Sequence, residues 1–325
     1  MEYAIIGDKL VELIHDLNGI DQQLLTDFPI AEYHEIIKAL PATTCYAFIP
    51  ADLRKKLAQI QQRYGQSAVA VYQKATLAFC MQNSWSVFHD DRLPADVKSF
   101  YAQRFNLILD DFDNQPNEYY DYSNDFFLKD LNICSLRLIP TGGQIVQLSL
   151  LNWYFILRSI RYGGLNQGSL DKFIETSRFY LTGIKRDLPF YEKHLDTRWL
   201  HEFNRAGRHR FHLRIAEMLK LNPHIQGLFG VSWFYDPSLE EISPGLLYLR
   251  KIPEEGGAKV FKFGTTPSDI RHAIAASQRR ETLYKEGQYQ PTAYVLVWLR
   301  DDLIKWANEV TTSNQDLKSG EMLRA

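Results

Sequence analysis

The chain has 325 residues, 45% apolar, 23% charged and 13% aromatic, with a formal net charge of −2 and 18 Tyr, 19 Phe, 18 Gly and 13 Pro. These values exclude intrinsic disorder, a collagen-like repeat and a disulfide scaffold, and the apolar fraction supplies cores for about two domains of ordinary size. The near-zero net charge gives no global attraction to nucleic acid or an anionic membrane. It is unevenly spread, however: residues 1–150 carry 12 Lys/Arg against 19 Asp/Glu, net −7, and residues 151–325 carry 25 against 20, net +5. An anionic ligand therefore fits the second part better than the first.

The N-terminal stretch MEYAIIGDKLVELIHDL places acidic residues early and has no basic run ahead of an apolar one, unlike a secretory leader. Leu10, Leu13, Ile14, Leu17 and Ile20 recur at helical spacing between Asp8 and Leu25. Pro50-Ala51-Asp52 starts a second helix through Leu53, Leu57, Ile60 and Tyr64. The apolar run Val69 to Met81 and the row Val97, Tyr101, Phe105 and Leu107 continue the helical pattern. The acidic and aromatic segment from Asp110 to Asp130 reads as a surface loop with anchoring rings. Residues 133–139 read as a strand, Pro140 to Gly143 as its turn and Gln144 to Leu151 as its hairpin partner. A helix from Leu151 to Ile160, stopped by Gly163-Gly164, and another between 169 and 200, broken at Pro189, follow. The domain boundary is placed between Gly164 and Leu200, giving 1–165 and 166–325.

Beyond Arg205 the pattern alternates. A helix spans Arg208 to Leu221 and stops near Asn222-Pro223, and a strand spans Gly227 to Tyr235, closed by Asp236-Pro237. A short helix over 246–250, a strand over 258–263, a helix from Ser268 to Lys285 and a strand over 292–299 complete an α/β unit. The expected fold class is α+β: a helical N-terminal domain followed by an α/β C-terminal domain. No apolar stretch reaches the ~20 residues of a membrane span. The odd, scattered Cys45, Cys80 and Cys134 read as reduced core residues of a cytoplasmic protein.

The passage Ser277 to Pro291, SQRRETLYKEGQYQP, resembles the last helix of GNAT-family acyltransferases, where Leu-Tyr is followed by Gly-aromatic before the next strand. The similarity spans 205–300 at most, and the strands over 228–235 and 258–263 fall in the order that fold requires. The resemblance implies a GNAT-like domain that moves an acyl group from a coenzyme A or carrier-protein thioester to an amine or hydroxyl. Tyr284 is then the general acid toward the departing thiolate. Arg279 and Arg280 face the donor phosphates, and Trp233 and Tyr235 line the donor. The same letters also describe an amphipathic helix with a C-terminal glycine, Leu283 and Tyr284 simply packing on a sheet. The segment after Tyr235, DPSLEEISPG, carries two glutamates and two prolines where the family has a glycine-rich phosphate loop. The alternative is a diverged fold without a donor site, a non-catalytic binding or scaffold protein. The C-terminal segment also resembles a group of uncharacterised bacterial proteins, which implies no activity.

Other motifs carry less. His209 and His212, three apart, share a helix face and could ligate a metal with Glu202 or Glu217, and His89-Asp90 has the first two ligands of a facial triad. A metal-dependent oxygenase or hydrolase using His89, His209 and His212 is the third reading. Arg205, Arg208, Arg210 and Arg214 oppose a cation there, so this stretch reads as a solvated basic face or one that meets an anion. Asp110, Asp111, Asp113 and Glu118 lack the glycine and glutamate of a calcium loop. Thr141-Gly142-Gly143 lacks the lysine of a P-loop, and Ser232 has no elbow motif around it. None of these patterns sets an oligomeric state.

Overall fold

The computed structural model describes residues 6–11, 22–112, 114–163 and 170–322, with side chains through 312. Leu13, Ile14, Leu17, Ile20 and Asp113 of the sequence reading lie outside the described residues. The chain forms two compact units, 1–149 and 150–325. The break falls at Ser149/Leu150, ahead of the boundary placed from sequence, because the helix that follows packs on the C-terminal unit's own sheet.

The first unit is helical, with α1 (6–11), α2 (Gln22–Asp27), α3 (Ile30–Lys38), α4 (Ala51–Tyr64), α5 (Gln66–Asn83), α6 (Ala95–Asp110) and α7 (Asp125–Cys134). Pro29, Pro50 and Pro94 stand just before α3, α4 and α6, where a preset φ and a missing N–H do no harm. α5 is apolar around most of its circumference, and Val69, Tyr72, Leu77, Cys80 and Met81 are all buried, as expected of a central helix. Cys80 and Cys134 are buried as read, but Cys45 is exposed.

Of the expected strand over 133–139, only Ile139 is in a strand. The Asn124 carboxamide oxygen accepts from the amides of Phe126 and Phe127, so α7 starts inside the acidic segment and runs through Cys134. Leu136 then takes a positive φ of 56°, which ends the helix. The strand that remains, β1, is Ile139–Pro140, paired antiparallel with β2 (Gln144–Ser149). The acidic segment is also less of a surface loop than its charges suggest, since Phe112, Tyr119, Tyr120 and Phe127 are all buried.

The second unit holds α8 (Trp153–Gly163), α9 (Leu170–Thr182), β3 (Phe190–Leu195), α10 (Arg205–Leu221), β4 (Gly227–Ser232), α11 (Leu239–Ile242), α12 (Tyr248–Glu255), β5 (Lys259–Gly264), α13 (Pro267–Ala275), α14 (Gln278–Lys285), β6 (Ala293–Leu299) and α15 (Arg300–Met322). Its strands lie in the order β3-β4-β6-β5, with β3 and β4 parallel and both other pairs antiparallel. β3 was not predicted. The expected strand over 227–235 ends at Ser232 and gives way to a 3₁₀ turn over Trp233–Tyr235. The expected helix from Ser268 to Lys285 is two helices, parted where Ser277 caps α14.

Strand alternation sorts the sheet's two faces. Phe229, Phe261, Val295 and Val297 meet Ile156 and Tyr180 of α8 and α9 in one core. Lys193 of β3 packs against Gly230 of β4, and Trp298 of β6 meets His212 of α10, so these residues meet on the face that α10 covers. Gln226 fixes β3 beside β4: its Nε2 donates to the Leu188 carbonyl at 2.7 Å and its amide to the Pro189 carbonyl at 2.9 Å. Among the described residues, no helix is long and apolar enough to cross a membrane.

Candidate functional site

The parallel pair is short. β3 and β4 are in register only at Tyr191–Leu228 and Glu192–Phe229, although β3 continues to Leu195 and β4 to Ser232. The assigned pairing ends at those two rungs, towards the strands' carboxyl ends, the side on which α/β sheets receive ligands. Lys193 follows Glu192 directly on β3. Its stem lies against Gly230, where a Cβ would stand 2.7 Å from the lysine Cγ, and its Nζ sits 4.9 Å from the centre of the Tyr235 ring.

α10 adds two more basic groups. Asn204 caps it through a 2.9 Å bond from the Gly207 amide. Gly207 is required there, because a Cβ would stand 2.0 Å from the Glu202 carbonyl oxygen. Arg208 and His212, four apart, share the face turned to the sheet. The Arg208 guanidinium lies 5.0 Å from the Phe203 ring centre and 5.8 Å from that of Phe211. His212 is surrounded by rings, at 5.1 Å from Trp298 and 5.9 Å from Trp306. All three basic groups are more than nine-tenths buried. The solvated basic face expected of this helix is therefore wrong for Arg208 and His212. Their neighbours Phe211, Ile215 and Leu219 draw that face against the sheet.

No carboxylate answers these groups among the described residues. Nε and Nη1 of Arg208 and both ring nitrogens of His212 are buried without a hydrogen-bond partner. Burial, and then the Arg208 charge, hold the Lys193 amine well below the usual lysine range. Burial lowers Arg208 too, partly offset by Tyr235 and Tyr248. Burial, Lys193 and Arg208 together hold the His212 imidazole well below the usual histidine range. Desolvation raises the Tyr235 phenol to about 12. Lysine and histidine can shed their protons in such a place, whereas arginine keeps its charge.

Beside the cluster a cleft of about 880 Å³ opens over the start of α10, lined by Phe203, Arg205, Tyr248, Lys251, Ile252 and Glu255. Phe203 and Tyr248 connect the two: one ring carries the Arg208 guanidinium, and the Tyr248 hydroxyl donates to the Phe203 carbonyl at 3.1 Å.

The residues singled out from sequence are only partly gathered here. Tyr235 stands in the cluster. Trp233 packs instead with Leu239, Ala273 and Tyr289. Arg280 is buried, with its guanidinium 4.8 Å from the Trp233 ring centre, Nη1 donating to Ser243 Oγ at 3.0 Å and Nε donating to the Ala273 carbonyl. Arg279 is exposed and donates to the Glu241 carbonyl at 3.3 Å. Tyr284 is half-buried on α14, and its hydroxyl meets no partner among the described residues. The amides of 238–243 are spent on turns, Leu239 to the Asp236 carbonyl, Glu241 and Ile242 to that of Ser238, Ser243 to that of Leu239, so this segment offers no amide cradle. Among the described residues no three metal-ligating side chains converge. Lys193 was missed, and Arg208 was read only as one of four arginines on a face that is solvated or meets an anion.

Compared with family models, with curated proteins and with solved structures, the chain matches none.

Proposed function

We propose that the C-terminal unit binds an anionic thioester, coenzyme A-linked or carrier-linked, in the cleft over α10 and moves its acyl group to an amine or hydroxyl. The observation that carries this reading is that cleft, about 880 Å³ over the N-terminus of α10, where the positive end of the helix and the side chains of Arg205 and Lys251 favour phosphate oxygens. An acceptor placed in the cleft attacks the thioester carbonyl and gives up its own proton to solvent, the C–S bond breaks, and the thiolate takes a proton. Tyr284 is the proposed donor of that proton.

A specific ligand at 100 times its dissociation constant stabilises the folded chain by about 2.7 kcal/mol. Thermal unfolding with acetyl-coenzyme A and longer thioesters therefore tests the reading, and an unchanged melting temperature with every thioester removes it. Where a thioester binds, an unchanged transfer rate in Tyr284→Phe removes the proposed acid.

The spent amides of 238–243 and the inward engagement of Arg280 favour a second reading, a binding module without turnover. Thioester binding with no thiol release distinguishes it.

A further inference from the structure

We propose that Lys193, Arg208 and His212 form a buried site for an oxyanion, the carboxylate or phosphoryl group of a ligand that reaches them from the cleft over α10. The proposal holds with or without acyl transfer. It stands on three observations. Arg208 is 4% exposed and keeps two guanidinium donors without acceptors. Lys193, 8% exposed, lies close enough to be repelled by it, and no acidic side chain faces either one among the described residues. The guanidinium turns back along α10 onto Phe203, a wall of the open cleft, as helical side chains lean toward their helix N-terminus.

A buried cation without a counter-charge is unfavourable, and a fixed one such as arginine cannot escape by titrating. An oxyanion supplies both what the donors lack and the missing negative charge. The groups facing Lys193 are Arg208 and His212 from α10 and the Tyr235 phenol from the turn after β4, with His209 and Tyr248 next to these and Glu255 of α12 acting on His209. Among the described residues no acidic side chain lies beside the Lys193 amine itself, so the bound anion supplies that charge.

The test uses the intact chain with inorganic phosphate and with acetate as probes, against chloride at equal ionic strength. Phosphate, acetate or both are expected to raise the melting temperature in a saturable way, the stronger of the two naming the ligand group. Arg208→Met is expected to match or exceed the parent in melting temperature without anion, because it removes an uncompensated charge. It is also expected to bind the anion roughly tenfold more weakly or worse. Lys193→Met is expected to weaken anion binding as well. Two results overturn the proposal: no oxyanion-specific stabilisation, or an Arg208→Met protein that is unfolded or less stable without anion, as a purely structural arginine requires.

Discussion

The Lys193 stem fills the space that Gly230 leaves open, so tightly that a methyl group on Gly230 would stand 2.7 Å from Cγ and 2.9 Å from Cε. Gly230→Ala must therefore move the lysine or the strand. Overpacking of this kind destabilises by about 1–3 kcal/mol. Denaturant unfolding of Gly230→Ala, of Lys193→Ala and of the double variant should give a favourable coupling, the second change recovering part of the loss from the first. Additive losses would show that the stem does not occupy that space.

Stability should fall with acid partly through His212. The unfolded chain binds a proton near pH ~6.5. Burial beside Lys193 and Arg208 keeps the folded imidazole neutral to a lower pH. Between those two points the unfolded state holds the extra proton, so stability is lost as pH falls, by at most about 1.4 kcal/mol per pH unit. Above that window both states are neutral and the effect is absent. Urea midpoints measured from about pH 7 to pH 5 should drop less in His212→Phe than in the parent chain. Equal slopes would assign the acid sensitivity to other groups.

Arg279 and Arg280, adjacent in sequence, should behave oppositely. Arg280 joins α14 to Ser243 and to the Trp233 ring from a buried position, and Arg280→Ala should remove about 2–3 kcal/mol of stability. Arg279 reaches only one carbonyl from an exposed position, and Arg279→Ala should stay within about 0.5 kcal/mol. Guanidinium-induced unfolding of the two variants decides this. A stability-neutral Arg280→Ala would return that side chain to the list of ligand contacts.

Asp236 holds the turn after β4 to the start of β6. Its two carboxylate oxygens accept from the Ser238 amide and hydroxyl and from the Thr292 amide at 3.1 Å. The side chain is buried. Asp236→Ala leaves two backbone amides without acceptors, so a loss of about 2–4 kcal/mol is expected by thermal or chemical unfolding. A near-neutral substitution would mean that solvent satisfies both amides.

The sequence was most legible where one physical rule dominated. Apolar spacing sufficed for α4 through α6, and β-branched or aromatic runs bounded by turn formers sufficed for β4, β5 and β6. α7 was misread because Ile133-Cys134-Ser135-Leu136 has strand-like composition, while a cap at Asn124, nine residues upstream of Ile133, had already set a helix in motion. β3 was missed because Phe190-Tyr191-Glu192-Lys193 packs on both faces and shows no clean alternation. Its one local signal was the Pro189 break before it. The site itself was partly visible. Arg208 and His212 stood four apart on a helix whose apolar residues marked the same face. The reading paired His212 with His209, three apart, as metal ligands instead, and took the four arginines as a basic face that is solvated or meets an anion. Nothing near Lys193 in the chain announces Arg208, since the parallel crossover that brings them together depends on where β3 lies.

His212 meets two indoles, Trp298 and Trp306, which also touch each other with centres 5.1 Å apart, so the three rings form a triangle. The Trp298 ring is further held by its Nε1–H donating to the Gly256 carbonyl at 2.9 Å. This ring cluster makes the protein its own optical probe. An imidazolium beside an indole withdraws emission that a neutral imidazole leaves intact, so the tryptophan signal of the C-terminal unit should report the charge state of the buried cluster, with no label attached.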